Sequence, residues 1–248
     1  YIGDCKSDGI DCRNYGQLEG IPQIRRFFAC VLGTKEENVI AGGNSSLNMM
    51  YDTIARAFTF GMCDSVHPWC KEEKIKFLCP APGYDRHFSV TQLYGMELLL
   101  VDMTENGPDM TQVKALVEND PSVKGMWCVP KFSNPEGIVY SDETVKELAT
   151  MKTAANDFII MWDNAYAFHH LGDDSVELAN VFDYAKEAGT ENRIFEFIST
   201  SKITFAGSGV SALVTSEENL QTILKQVGVQ TIGPDKLNQL RHIKFFKN

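Results

Sequence analysis

At 248 residues, with 44% hydrophobic and 23% charged residues, the chain has the size and composition of a soluble globular protein able to bury a sizeable core. A formal net charge of -10 argues against a nucleic-acid partner for this chain, because phosphate contacts need clustered Lys and Arg. No signal peptide and no apolar run of spanning length is present, so no membrane partner is expected.

From the N-terminus, Asn14-Tyr15-Gly16 and Glu19-Gly20 are turn-rich, and Pro22 suits the first position of a helix carrying Ile24, Phe27, Phe28 and Val31 and ending at Gly33. Asn38 to Ala41 reads as a strand. Gly42-Gly43-Asn44-Ser45-Ser46 then opens a helix with Leu47, Met50, Ile54, Ala57 and Phe58 on one face. Lys76 to Cys79 is a strand, Pro82-Gly83-Tyr84 a turn, and residues 85–94 a helix. Glu97 to Val101 and Met126 to Val129 are strands with a helix near 109–118 between them. Asp142 is expected to cap a helix running through Ala155. Phe158 to Trp162 and Ile194 to Ile198 are nearly unbroken apolar strands.

Apolar runs alternating with amphipathic helices predict an α/β fold with a mostly parallel central sheet covered by helices on both faces. In such sheets ligands sit beyond the carboxyl ends of the strands. The conspicuous polar residues fall there: Gly43-Asn44, Tyr84, Asn134, Asp163 and Lys202.

Each has a plain and a chemical reading. Gly43, Asn44 and Ser45 are either an ordinary helix cap or a phosphate cradle of backbone N–H groups and hydroxyls at a helix N-terminus. Tyr84 either packs beside a turn or stacks on a flat heterocycle. Asn134-Pro135-Glu136-Gly137 suits a turn, though an asparagine there can donate to a phenolate-like oxygen. Asp163 ends a buried strand and needs a partner, either a helix N-terminus or arginine, or a pyridinium N–H; Tyr166 can place its hydroxyl in the same pocket. Lys202 follows Ile194 to Ile198 and Ser199-Thr200-Ser201. It is a surface residue past a strand end, or a lysine whose burial favours the neutral amine of a Schiff base. His169-His170 lacks a third ligand at metal-site spacing and reads as structural or pocket-lining, and His67, His87 and His242 stand isolated, so no metal site is expected. The seven cysteines form no C-x-x-C pair, and several sit in apolar runs as small buried hydrophobes. That usage favours a reducing, cytoplasmic setting.

Asn134-Pro135-x-Gly137, Asp163-x-Ala165-Tyr166 and Ser199-x-Ser201-Lys202, in this order and near these separations, resemble the signature series of the class I pyridoxal-phosphate aminotransferases of the aspartate aminotransferase fold. With Phe205-Ala206-Gly207-Ser208-Gly209-Val210, the wording is most similar to a bacterial aspartate aminotransferase subgroup related to the aminotransferase domain of MocR regulators. The resemblance covers essentially the whole chain. It implies pyridoxal 5'-phosphate as cofactor and transamination between an amino acid, aspartate, and a 2-oxo acid, 2-oxoglutarate. Lys202 would form the Schiff base and move the substrate's alpha proton. Asp163 would keep the pyridine nitrogen protonated. Tyr166 and Asn134 would bond the phenolic oxygen, and Tyr84 would stack on the ring. Gly43, Asn44, Ser45, Ser199 and Ser201 would hold the phosphate, and Tyr15 would reach the phosphate of the neighbouring subunit, implying a homodimer. The same residues also suit a cofactor-sensing MocR-type regulatory domain, a beta-lyase or a decarboxylase.

Two departures stand out. The arginine that many members carry soon after the lysine is replaced by Gly207-Ser208-Gly209-Val210-Ser211, and Glu136 replaces a common threonine. The chain begins at Tyr1 rather than Met and both ends read as cut. Residues 1–248 are therefore expected to be the cofactor-binding large domain, with the N-terminal arm, the small domain and the substrate-carboxylate arginine largely outside it. By itself such a piece would be inactive or weak.

Overall fold

The computed structural model describes residues 3–169 and 176–247. In chain order these hold β1 (Lys6–Ser7), β2 (Ile10–Asp11), α1 (Pro22–Val31), β3 (Val39–Ala41), α2 (Ser46–Phe60), β4 (Lys76–Ala81), α3 (Asp85–Leu93), β5 (Glu97–Thr104), β6 (Gly107–Pro108) and α4 (Met110–Val117). There follow β7 (Val123–Cys128), α5 (Asp142–Thr150), β8 (Ile159–Asp163), α6 (Val181–Ala188), β9 (Ile194–Ser199), β10 (Ser211–Val214), α7 (Glu217–Gln230) and α8 (Lys236–Phe246). The chain is an α/β fold built on mostly parallel strands flanked by helices, as the alternation of apolar runs and amphipathic segments predicts. It divides into two units, one of residues 51–196 and one of residues 1–50 with 197–248. No helix among the described residues is long and apolar enough to cross a membrane.

In the unit of residues 51–196 the strand order is β8-β7-β4-β5-β6. β4 pairs in parallel with β5 and β7, and β7 with β8, while β6 turns back antiparallel along the end of β5. All six residues of β7 and all five of β8 are buried; β8 accordingly reads as an apolar run up to Asp163, whereas β7 includes the buried Lys124 ahead of Met126. Gly125 is required within β7, since a Cβ there would sit 2.4 Å from the Phe77 ring and 2.8 Å from the Ile159 carbonyl oxygen. Because β4, β7 and β8 are parallel, their carboxyl ends share one edge, and the loops leaving that edge carry Tyr84, Asn134 and Asp163.

The helix expected to start with an Asp142 cap and run through Ala155 is shorter and capped differently. Ser141 is the cap, its Oγ accepting from the Thr144 N–H at 3.2 Å, and the helix stops at Thr150 where Met151 turns extended. Asp142 and Glu143 instead occupy the first turn, where their charge complements the helix dipole.

The other unit holds β3-β10-β9, with β10 antiparallel to β3. β10 was absent from the sequence reading because four residues, Ser-Ala-Leu-Val, carry too little pattern to separate a strand from a loop. Ahead of them β1 and β2 form a hairpin across Asp8-Gly9, both at positive φ, the geometry an Asp-Gly turn prefers. α1 begins with Pro22 as expected and buries Ile24, Phe28 and Ala29; its Phe27 stacks on Phe246 of α8 at 4.6 Å.

Candidate active site

Asp163 closes β8 with its carboxylate 5% exposed. His87, on the first turn of α3, meets its Oδ2 through Nε2 at 3.0 Å. The imidazole is held from two further sides. It stacks on Trp127 with ring centroids 4.4 Å apart and planes 9° from parallel, and Tyr84 meets it edge-on at 5.1 Å. Trp127 is itself fixed by a bond from Nε1 to Thr91 Oγ1 at 2.8 Å. The other carboxylate oxygen, Asp163 Oδ1, is buried with no hydrogen-bond partner. An orphan acceptor of this kind is costly unless something arrives to donate to it.

Tyr84 is the residue at the cap of α3, half-buried, and lines a small pocket together with His87, Trp127, Ser133, Asn134 and Tyr140. Asn134 sits exposed on a tight turn held by Gly137 N–H to Ser133 carbonyl at 2.7 Å and by Ile138 N–H to Ser133 Oγ at 2.9 Å. Gly137 has φ of 76°, so this turn requires a glycine. Tyr166 is half-buried and packs edge-on against His169 at 5.3 Å. His170 lies outside the described residues.

In the unit of residues 1–50 with 197–248, Gly43, Asn44 and Ser45 form the loop from β3 into α2. Ser45 Oγ accepts from the Asn48 N–H at 3.3 Å, which caps the helix. The Gly43 carbonyl takes two bonds from Ser211, from its N–H at 2.7 Å and its hydroxyl at 2.8 Å. Ser201 Oγ donates to the Asn44 carbonyl at 2.9 Å, so the loop and the segment after β9 are tied together. A Cβ on Gly43 would meet nothing within 4 Å, so the loop faces open space, whereas one on Gly209 would lie 2.7 Å from Ser201 Oγ. The Gly207-Ser208-Gly209 turn after Lys202 is held by Asn238, whose Nδ2 donates to the Ser208 and Gly209 carbonyls at 3.1 and 2.8 Å.

Ser199 is buried at the end of β9, but Lys202, three residues on, is exposed. Of the two readings of Lys202, its exposure matches the residue past a strand end: burial stops at Thr200, and the segment beyond it is a turn. Tyr15 is 83% exposed, on a loop whose Asn14 and Gly16 carbonyls both accept from Lys236 Nζ, at 2.6 and 2.9 Å.

Three features escape a reading of the sequence. His87 is not isolated, because the fold brings it across 76 positions to Asp163. Glu196, in the middle of the apolar run of β9, is buried, and burial pushes its carboxyl up to about 7 against one opposing bond from Asn164 Nδ2 at 2.9 Å. Its lone charge in Ile-Phe-Glu-Phe-Ile was the available signal. His242 also has company, Nε2 lying 3.1 Å from Thr204 Oγ1 and Nδ1 2.9 Å from the Asn238 carbonyl. No cluster of three or more His, Cys, Asp or Glu able to hold a metal occurs among the described residues.

A buried acid with one oxygen open and an aromatic beside it, at the carboxyl edge of a parallel sheet, define a class: an α/β protein of residues 51–196 that offers a buried acceptor to a ligand's donor. The chain belongs to the aspartate aminotransferase family, whose model, described as aspartate amino-transferase, matches residues 2–248. It is 51% identical over 245 residues to an aspartate aminotransferase of Corynebacterium glutamicum, covering 98% of this chain and 56% of that protein. The crystal structure of an aspartate transaminase from Corynebacterium glutamicum superposes with a TM-score of 0.95 at 50% identity, over 98% of this chain and 57% of that one. An uncharacterised HTH-type transcriptional regulator of Bacillus subtilis is 27% identical over 227 residues, 91% of this chain and 47% of the regulator. The chain thus spans little more than half the length of the aminotransferases it matches.

Proposed function

We propose that these residues form the cofactor-binding part of a pyridoxal-phosphate-dependent aminotransferase that moves an amino group between aspartate and 2-oxoglutarate. The observation that carries this reading is Asp163 Oδ1, a buried acceptor left open while His87 occupies the other oxygen. A pyridinium N–H is the donor such an oxygen suits, and the carboxylate keeps that proton in place. When bound, pyridoxal phosphate supplies the electron sink for the charge left by removal of a substrate's alpha proton. The amine of Lys202 would anchor the cofactor covalently and carry that proton. Gly43, Asn44, Ser45, Ser199 and Ser201 hold the phosphate through N–H groups and hydroxyls. Tyr84 would cover the ring, and Asn134 and Tyr166 would donate to its phenolic oxygen. Tyr15, exposed on a loop pinned by Lys236, suits a reach into a neighbouring subunit, so the active protein is a homodimer. The aspartate preference rests on the relative named for it.

Adding pyridoxal phosphate to the full-length protein is expected to give a visible absorption band that borohydride fixes onto Lys202, read by peptide mass, and Lys202→Ala should lose both. Identical behaviour of the two proteins sinks the assignment. Aspartate should then convert the bound cofactor to its amine form; if no amino acid does so, the transaminase reading fails. The likeness to a transcriptional regulator supports a second reading, a cofactor-sensing domain. It predicts the Lys202 adduct without turnover.

A further inference from the structure

The hairpin β1–β2 is an antiparallel pair with Lys6 opposite Asp11 and Ser7 opposite Ile10. One step further out the register sets Cys5 opposite Cys12, and the Cys12 N–H donates to the Cys5 carbonyl at 2.9 Å. Opposite residues of an antiparallel pair point to the same face. A hydrogen-bonded pair holds its Cα atoms about 5.5 Å apart, within the roughly 4.4–6.8 Å that a disulfide spans. Both cysteines are free and buried, 6% and 4% exposed, while Lys6 between them points outward. The sulfurs now rest on backbone carbonyls of their own strands, Cys5 on Gly3 at 3.3 Å and Cys12 on Ile10 at 3.8 Å.

We propose that Cys5 and Cys12 are a redox pair whose oxidation closes a cross-strand disulfide, stapling the hairpin that leads into the Asn14-Tyr15 loop. The oxidant is a peroxide. One thiolate attacks an oxygen of hydrogen peroxide, giving a sulfenic acid and hydroxide. The second thiol then attacks that sulfur, forming the S–S bond and releasing water, so two thiols and one peroxide yield one disulfide and two waters. The Lys236 ammonium favours the Cys12 thiolate, but burial outweighs it and pushes the thiol up. The pair therefore reacts slowly and rests as a dithiol in a reducing setting. The same lysine holds the Asn14 and Gly16 carbonyls of the loop that presents Tyr15, and Asn14 lies two residues beyond Cys12. The remaining five cysteines differ in kind: Cys79 and Cys128 are buried in strands, Cys63 is partly exposed, and Cys30 and Cys70 are exposed.

Trypsin cuts after Lys6 and Arg13, so the two cysteines fall in separate peptides, one ending at Lys6 and one spanning Ser7 to Arg13. The folded protein, with Cys30 and Cys70 first capped by iodoacetamide, is treated with hydrogen peroxide and digested without reductant. The expected result is a single species joining the two peptides, two hydrogens lighter than their sum, which dithiothreitol separates. Cys12→Ser should leave Cys5 without a partner and give no linked species, while its unchanged thermal transition shows that the fold is kept. Recovery of both peptides as separate thiols or separate sulfinic acids overturns the proposal, as does equal linkage of Cys5 to any other cysteine.

Discussion

A buried aspartate stands at each end of β8, and the two are built in opposite ways. Asp157, just before the strand, has both oxygens engaged. Oδ1 takes Lys124 Nζ at 2.8 Å, and Oδ2 takes Trp69 Nε1 at 2.9 Å and Ser65 Oγ at 2.7 Å. Lys124 extends the network to Glu72 at 2.9 Å. Burial raises the Asp157 carboxyl, but the ammonium and the donors outweigh it, and the group ends below its ordinary value. Asp163, at the other end, has one partner on Oδ2 and none on Oδ1. The side chain, the strand and the depth of burial are the same, 6% and 5% exposed. What differs is the supply of donors. A closed set ties the loop of residues 65–72 to the sheet; an open one leaves a buried acceptor for a donor that the described residues do not provide.

The largest test removes the closed set. Asp157→Ala leaves the Trp69 N–H and the Ser65 hydroxyl without their acceptor and Lys124 with Glu72 alone, and should lower unfolding free energy by about 3–5 kcal/mol, the sum of a lost charged bond and a buried unpaired donor, measured by urea denaturation. A neutral result would show that the network is not the tie described here.

Glu196, a third buried carboxyl, sharpens the contrast because it has a single neutral donor. Its folded value of about 7 lies above the ordinary 4.5, so the folded state keeps a proton that the unfolded chain releases. The associated stability is fully present below pH 4.5 and is lost as pH rises to about 7, amounting to about 3 kcal/mol. Glu196→Gln should erase that slope and be the more stable protein at pH 8. Parallel pH profiles for the two proteins would contradict it.

His87→Phe keeps a flat ring on Trp127 but leaves Asp163 with no donor at all. A loss of about 2 kcal/mol is expected in the cofactor-free protein, partly restored by pyridoxal phosphate. If the cofactor restores nothing, Asp163 is not where it binds. The smallest effect belongs to Asp163→Asn, which should change cofactor-free stability by less than about 1 kcal/mol, since the amide keeps the shape and the His87 contact. It should nevertheless weaken pyridoxal phosphate binding and shift its absorption. Destabilisation as large as that of Asp157→Ala would erase the distinction between the two ends of the strand.

Much of this was written in the sequence. The apolar runs of β4, β8 and β9 report burial, apart from buried charges such as Glu196; Pro22 marks a helix start, and the parallel α/β pattern places Tyr84, Asn134 and Asp163 at strand ends. The Asp8-Gly9 turn is a local signal too, but its strands are only two residues long and carry no periodicity of their own. These are local properties, decided by neighbours within a few positions. Partners of buried polar atoms are not. His87 lies 76 positions from Asp163, Asp157 lies 33 from Lys124 and 88 from Trp69, and Cys5 faces Cys12 only once the register is set. Periodicity tells which side chains leave water; only the packed chain decides which donor meets each acceptor, and so which buried acid is sealed and which is left open.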